Sequence, residues 1–180
     1  MSLRTPARRP APWILSLALV ALPAGACACG PAAPAAAPPS APSPLLSQPL
    51  PDFQRRTLDG SKLDTKDLRG RVVVVKFFAK YCEPCKRTLP AVERLAKEHA
   101  EIAFVGIAED ERESDAREVV STYGLSFPIV HDSGNVLSGR FRVREMPFTF
   151  VADAQGQVRW VGGPEQSEGD LALAIASLSK

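Results

Sequence analysis

Seven consecutive residues, Val72 to Phe78 (VVVVKFF), are apolar apart from Lys76, and Ile102 to Ala108 (IAFVGIA) is apolar throughout. Neither run alternates with polar residues, so each reads as a strand covered on both faces near the centre of a sheet. Between them, Lys86 to His99 places Leu89, Val92, Leu95 and Ala96 on one helical face. Pro90 within that stretch should bend the helix. Glu111 to Tyr123 repeats the helical pattern with Ala116, Val119 and Val120, and Gly124 is the residue type that commonly ends a helix in a left-handed conformation. Further on, Phe148 to Val151 and Val158 to Val161 flank Asp153-Ala154-Gln155-Gly156 and predict an antiparallel pair. Ser167 can cap a last helix in which Leu171, Ile175 and Leu178 recur. Upstream, Asp59-Gly60 is a hairpin turn signal, which makes Phe53 to Leu63 a short N-terminal β-hairpin. The alternation predicts an α/β domain with a central mixed β-sheet and helices on both faces.

Ahead of this domain the pattern changes. Arg4, Arg8 and Arg9 precede an apolar stretch, Trp13 to Leu22, and small residues follow from Ala24 to Ala28. That order reads as an export signal over residues 1–28. The apolar stretch is shorter than the ~20 residues that span a bilayer, so cleavage is expected rather than retention as an anchor. Ala24-Gly25-Ala26-Cys27 resembles a lipobox, in which the cysteine is lipidated and becomes the new N-terminus, although Ala24 stands where Leu or Val is usual; the same residues fit the small-x-small rule of ordinary signal peptidase. Lipidation at Cys27 is the reading taken. Residues 29–51 are almost entirely Ala, Pro and Ser, and 12 of the chain's 17 prolines fall at or before Pro51. This composition predicts an extended linker, neither helix nor sheet, holding the domain of residues 52–180 away from its anchor.

Charge narrows the partners. The chain has 22 basic and 20 acidic residues, and once the leader's three arginines are set aside the acidic side leads by one. Such a balance gives no argument for nucleic acid or an anionic membrane surface as partner, and two histidines are few for a metal enzyme.

The chemistry lies in Cys82-Glu83-Pro84-Cys85, between the first buried strand and the first helix. A helix N-terminus presents N–H groups with no partner inside the helix, and their partial positive charge stabilises a thiolate. Cys82 is thus the candidate nucleophile. Cys85, about one turn further on, can close a disulfide with it and resolve a mixed disulfide. Three other readings stand beside this one. Structural zinc needs four ligands, and only Cys27, Cys29, His99 and His131 remain to supply them. A purely structural disulfide would gain little from so short a loop. Cysteines packed as small apolar residues fit poorly beside Glu83, Pro84 and Lys86.

Val72 to Pro90 (VVVVKFFAKYCEPCKRTLP), together with Met146 to Val158 (MPFTFVADAQGQV), resembles the thioredoxin fold, specifically the TlpA/ResA type of extracytoplasmic thiol-disulfide oxidoreductase in the AhpC/TSA superfamily. The resemblance covers roughly Leu50 to Lys180. It implies a thioredoxin-like domain with an inserted helix between about Glu109 and Arg144, and a cis Met146-Pro147 bond beside the dithiol, with Met146 contacting the substrate backbone. It implies protein dithiols or disulfides as substrates, a membrane electron-donor protein, and no cofactor beyond the Cys82–Cys85 disulfide. The work expected is that of a reductase rather than an oxidase, on the periplasmic side of a membrane.

Several positions depart from the family pattern. Tyr81 stands where thioredoxins usually have Trp and keeps an aromatic cover. Lys76 occupies the place of a buried acid in thioredoxin; its ammonium either favours thiolates from below the dithiol or snorkels to the surface. Glu83, by its charge, should oppose thiolate formation at Cys82. Thr88 replaces a Glu common in haem-maturation members, which weakens apocytochrome c as the substrate. Two rival functions share related features. A peroxiredoxin-like thiol peroxidase needs Thr or Ser where Ala79 stands. A Sco-like copper-binding protein would draw on His131, but spaces its cysteines by three residues, not two.

Overall fold

The computed structural model describes residues 37–179. The export signal, Cys27 and the first part of the linker lie outside the described residues. A short antiparallel hairpin, β1 (Gln54–Arg56) with β2 (Lys62–Asp64), comes first, turning through Gly60 at φ +89°. Then follow β3 (Val73–Phe78), α1 (Glu83–Glu98), β4 (Ala103–Ala108), α2 (Glu113–Tyr123), β5 (Ile129–His131), α3 (Val136–Arg140), β6 (Phe148–Ala152), β7 (Val158–Gly162) and α4 (Glu168–Leu178). The five-stranded sheet runs β5-β4-β3-β6-β7, with β3 at its centre. β3 is parallel to β4 and antiparallel to β6, and every residue of β3 and β4 is buried, as unbroken apolar runs require.

Alternation along the strands divides the core. One face carries Val74, Phe78, Phe104, Val151 and Trp160 against Leu89 and Val92 of α1, Ala116 and Val119 of α2, and Leu171 and Ile175 of α4. The other carries Val73, Val75, Phe77, Phe148 and Phe150 against Leu137 and Phe141 at α3 and Phe53 and Leu63 of the hairpin region. Phe141 touches Phe77 and Phe150 with ring centroids 5.2 and 5.3 Å apart. Helices thus cover both faces. α4 opens with a reciprocal cap, Ser167 accepting from the Asp170 N–H while the Asp170 carboxylate accepts from the Ser167 N–H. α2 ends on Gly124 at φ +60°.

The structure differs from the sequence reading in three respects. The first helix starts at Glu83, not Lys86, because Pro84 in its first turn has no N–H to leave unpaired. β5 and α3 had no counterpart in the periodicity, being only three and five residues long. The third difference corrects the linker: residues 40–50 are laid along the β7 edge. The Ala41 N–H donates to the Val161 carbonyl at 2.7 Å, Ser47 to Val158 at 2.8 Å and Leu50 to Gly156 at 2.8 Å, while Val158 donates back to Gln48 at 2.9 Å. Pro49 forms an antiparallel bridge with Gln157, and Ala41 is buried. Prolines allow this because an edge partner needs only some of its N–H groups, and here the donors are Ala41, Ser47 and Leu50. The domain accordingly begins about a dozen residues before position 52. Among the described residues, no helix is long and apolar enough to cross a membrane.

Candidate active site

β3 ends at Phe78, and the chain turns through Ala79, Lys80 and Tyr81 into α1, with the Cys82 N–H donating to the Ala79 carbonyl at 3.1 Å. Two bonds hold this turn against the neighbouring strand. The Glu109 N–H donates to the Phe78 carbonyl at 2.9 Å, and the Lys80 N–H donates to Asp110 Oδ1 at 2.8 Å. Cys82 is the N-cap of α1, and its sulfur accepts from the Cys85 N–H at 3.1 Å. The sulfur thus sits where the helix offers an unpaired donor, an arrangement that favours a thiolate in the reduced state.

Cys82 and Cys85 are joined by a disulfide, with Cα atoms 5.2 Å apart. Cys82 retains 6% of its surface and Cys85 none, so a substrate can approach only the first sulfur. That sulfur borders a cleft of about 480 Å³ between the start of α1 and the segment Val143 to Met146. The Met146–Pro147 peptide bond at the end of this segment is cis. Tyr81 is 67% exposed on the cleft rim, an aromatic surface presented to solvent rather than a lid packed over the dithiol. Glu83, expected to oppose a thiolate, is ion-paired with Lys86 at 2.5 Å, which offsets part of its charge. Pro84 occupies the first turn of α1.

Lys76 projects from β3 on the α1 face, as do Val74 and Phe78, and is 4% exposed; the snorkelling alternative is thereby excluded. Its ammonium donates to Thr149 Oγ1 at 3.2 Å, from the residue opposite it on β6. It lines a small cavity with Thr88, one turn beyond Cys85, and with Pro147 and Trp160. No carboxylate is paired with it among the described residues, and burial alone pulls its pKa down to about 8.

Glu109 and Asp110, which follow β4 directly, were missed in the sequence. Both stand at the C-terminal ends of parallel strands, where α/β sheets place their sites, and an acidic pair closing a buried strand was the available signal. Asp110 is buried, and its carboxyl is raised first by that burial, with the Lys80 N–H bond opposing. His131 donates from Nε2 to the Asp110 carbonyl at 2.7 Å. Among the described residues, no three His, Cys, Asp or Glu side chains come together as a metal site.

A dithiol at a helix start, beside a cis-proline loop on a five-stranded mixed sheet, defines the class as a thioredoxin-fold thiol-disulfide oxidoreductase. Residues 46–161 match the AhpC/TSA family model. The chain belongs to the AhpC/TSA family. It is 34% identical over 116 residues to the thioredoxin-like protein YneN of Bacillus subtilis, covering 62% of this chain and 68% of that one. It is 31% identical over 110 residues to the thiol-disulfide oxidoreductase ResA of Bacillus anthracis, covering 60% of this chain and 64% of ResA, slightly under two thirds of that relative's length. Among solved structures, a secreted Mycobacterium tuberculosis disulfide oxidoreductase homologous to E. coli DsbE superposes with a TM-score of 0.65 at 28% identity, over 70% of this chain and 96% of that one.

Proposed function

We propose that this protein is an exported, lipid-tethered thiol-disulfide reductase that acts on protein disulfides. The observation that carries the reading is the asymmetry of the dithiol: the Cys82 sulfur caps α1 and borders an open cleft, while Cys85 is sealed beneath it. The Cys82 thiolate attacks a substrate disulfide, and the mixed disulfide lies across Met146-Pro147. Cys85 then attacks the Cys82 sulfur, closing the Cys82–Cys85 bond and releasing the substrate as a dithiol. Exchange among sulfurs moves both electrons, so the chemistry needs no cofactor. A membrane electron-donor protein returns the pair to the dithiol state.

Export is supported by the charged, then apolar, then small-residue order of residues 1–28, and by the secreted mycobacterial neighbour. Tethering rests on Cys27 at the lipobox-like site. The reducing direction is supported by the carboxylates Glu83 and Glu145 around the cleft, which work against a Cys82 thiolate and so against the reduced state. Lys76 pulls the other way from beneath. The reduction potential weighs these charges against each other, and equilibrating the purified protein in thiol buffers with mass-spectrometric readout measures it. A value near thioredoxin's, about −270 mV, is expected; one near about −120 mV would make the protein an oxidant and end the reductase reading. Rapid consumption of peroxide by the dithiol would instead favour the thiol-peroxidase alternative.

A further inference from the structure

Resting on the thiol-disulfide reading above, we propose that Glu109 is the proton donor to the substrate sulfur that leaves when Cys82 attacks. The geometry comes first. Glu109 follows β4, is fixed by its backbone bond to the end of β3, and faces the same cleft as Cys82. One of its carboxylate oxygens, Oε1, is buried and has no hydrogen-bond partner among the described residues. An unpartnered buried oxygen is costly unless it serves something that arrives later. The cleft is where the leaving half of a substrate disulfide must lie, since Cys85 blocks the other side of the Cys82 sulfur.

The surroundings favour the protonated form of this carboxyl. Burial raises its pKa above the ordinary carboxylate range, and the charges of Asp132, in the turn before α3, and of Asp110, next along the chain, add to that; a bond with Ser138 of α3 works against it. Tyr81 and Glu83 face the cleft from the start of α1, and Arg144 and Glu145 from the cis-proline segment. Arg144 is the one cation among these lining residues.

The step balances as follows. The Cys82 thiolate, its proton already lost to solvent, forms a bond to the nearer substrate sulfur, and the substrate S–S bond breaks. Its electron pair passes to the departing sulfur, which takes the proton from Glu109 and leaves as a thiol. Glu109 remains as a carboxylate and is reprotonated by water through the open cleft. Cys85 then resolves the mixed disulfide without further help from Glu109. An alkyl thiolate is a poor leaving group and gains from this proton, whereas a thiopyridine leaves without one.

The test compares Glu109→Gln with the unaltered chain on two uncharged disulfides, bis(2-hydroxyethyl) disulfide and 4,4′-dithiodipyridine, each offered to the pre-reduced protein. The quantity read is the ratio of the two rates, which cancels any loss of folded protein because both reactions use the same dithiol. Substitution should lower the ratio, alkyl over pyridyl, by about tenfold or more at acidic pH. The two proteins should converge as pH rises and Glu109 loses its proton. Glu109→Asp should recover part of the ratio. A ratio unchanged by substitution, or a deficit that does not vary with pH, would overturn the proposal. Failure of the unaltered chain to reduce either disulfide would instead refute the oxidoreductase reading beneath it.

Discussion

Lysine is almost never fully buried without a partner, and among the described residues Lys76 has only the Thr149 hydroxyl. Its replacement by methionine, similar in length and apolar, should therefore stabilise the protein. Burial takes the ammonium from its usual 10.5 to about 8, and each tenfold loss of proton affinity corresponds to about 1.4 kcal/mol. The charged form then costs the fold about 3 kcal/mol at neutral pH. Removing the Thr149 bond takes back about 1 kcal/mol, so Lys76→Met should gain about 2 kcal/mol, or roughly 5 °C in melting temperature for a domain of this size.

The pH dependence separates this cause from improved packing. At pH 7, below both values, Lys76 is protonated in the folded and unfolded chains, and the full cost is present. Between about 8 and 10.5 the folded protein has released the proton while the unfolded chain still holds it, so stability attributable to Lys76 rises with pH. Methionine has no such term. The advantage of Lys76→Met should be largest at pH 7, decline above pH 8 and fade towards pH 10.5, with the other titrating groups cancelling between the two proteins. Urea denaturation of the oxidised form across that range measures it. A difference flat in pH, or a variant less stable at pH 7, would refute the account of Lys76 as a buried charge under strain of desolvation. The same substitution should lower the reduction potential, because it removes a cation that favours the thiolates.

Cys85→Ser should accumulate a mixed disulfide between Cys82 and substrate, visible as a mass adduct released by dithiothreitol, and Cys82→Ser should form none. Deleting the residues up to Leu50 should cost on the order of 2–4 kcal/mol in urea denaturation, from four backbone hydrogen bonds, and should promote association through the bared β7 edge; unchanged stability would return this segment to the status of a linker. Phe141→Ala should destabilise by about 3–5 kcal/mol, since its fully buried ring packs on Phe53, Phe77 and Phe150.

What could be read from the sequence follows from how far each signal extends along the chain. β3 and β4 announce themselves because a strand covered on both faces needs an unbroken apolar run, and the dithiol is legible because its two members are three residues apart in one helical turn. Glu109 and Asp110 are marked locally only as an acidic pair closing a buried strand, which does not say what they face. Their place beside Cys82 depends on β4 lying parallel to β3 in the register that sets Phe78 opposite Ala108, a pairing across 30 residues that no window of sequence contains. Lys76 shows the same limit from the other side. Its position in an apolar run marks it as buried, but whether a four-carbon chain turns out to solvent depends on what closes above it, here α1 and the cis-proline segment.

The edge pairing of the Pro-rich segment is hidden in the sequence for a different reason. Proline content counts the N–H groups a segment lacks, whereas pairing to a sheet edge depends on which N–H groups point inward. In residues 40–50 the missing donors, at Pro42, Pro44 and Pro49, fall between the three that bond to β7 and the turn before it. The same prolines narrow the conformations of the unfolded chain and reduce the entropy lost when the segment docks. A sequence suited to an extended tether is thus also suited to covering an open edge.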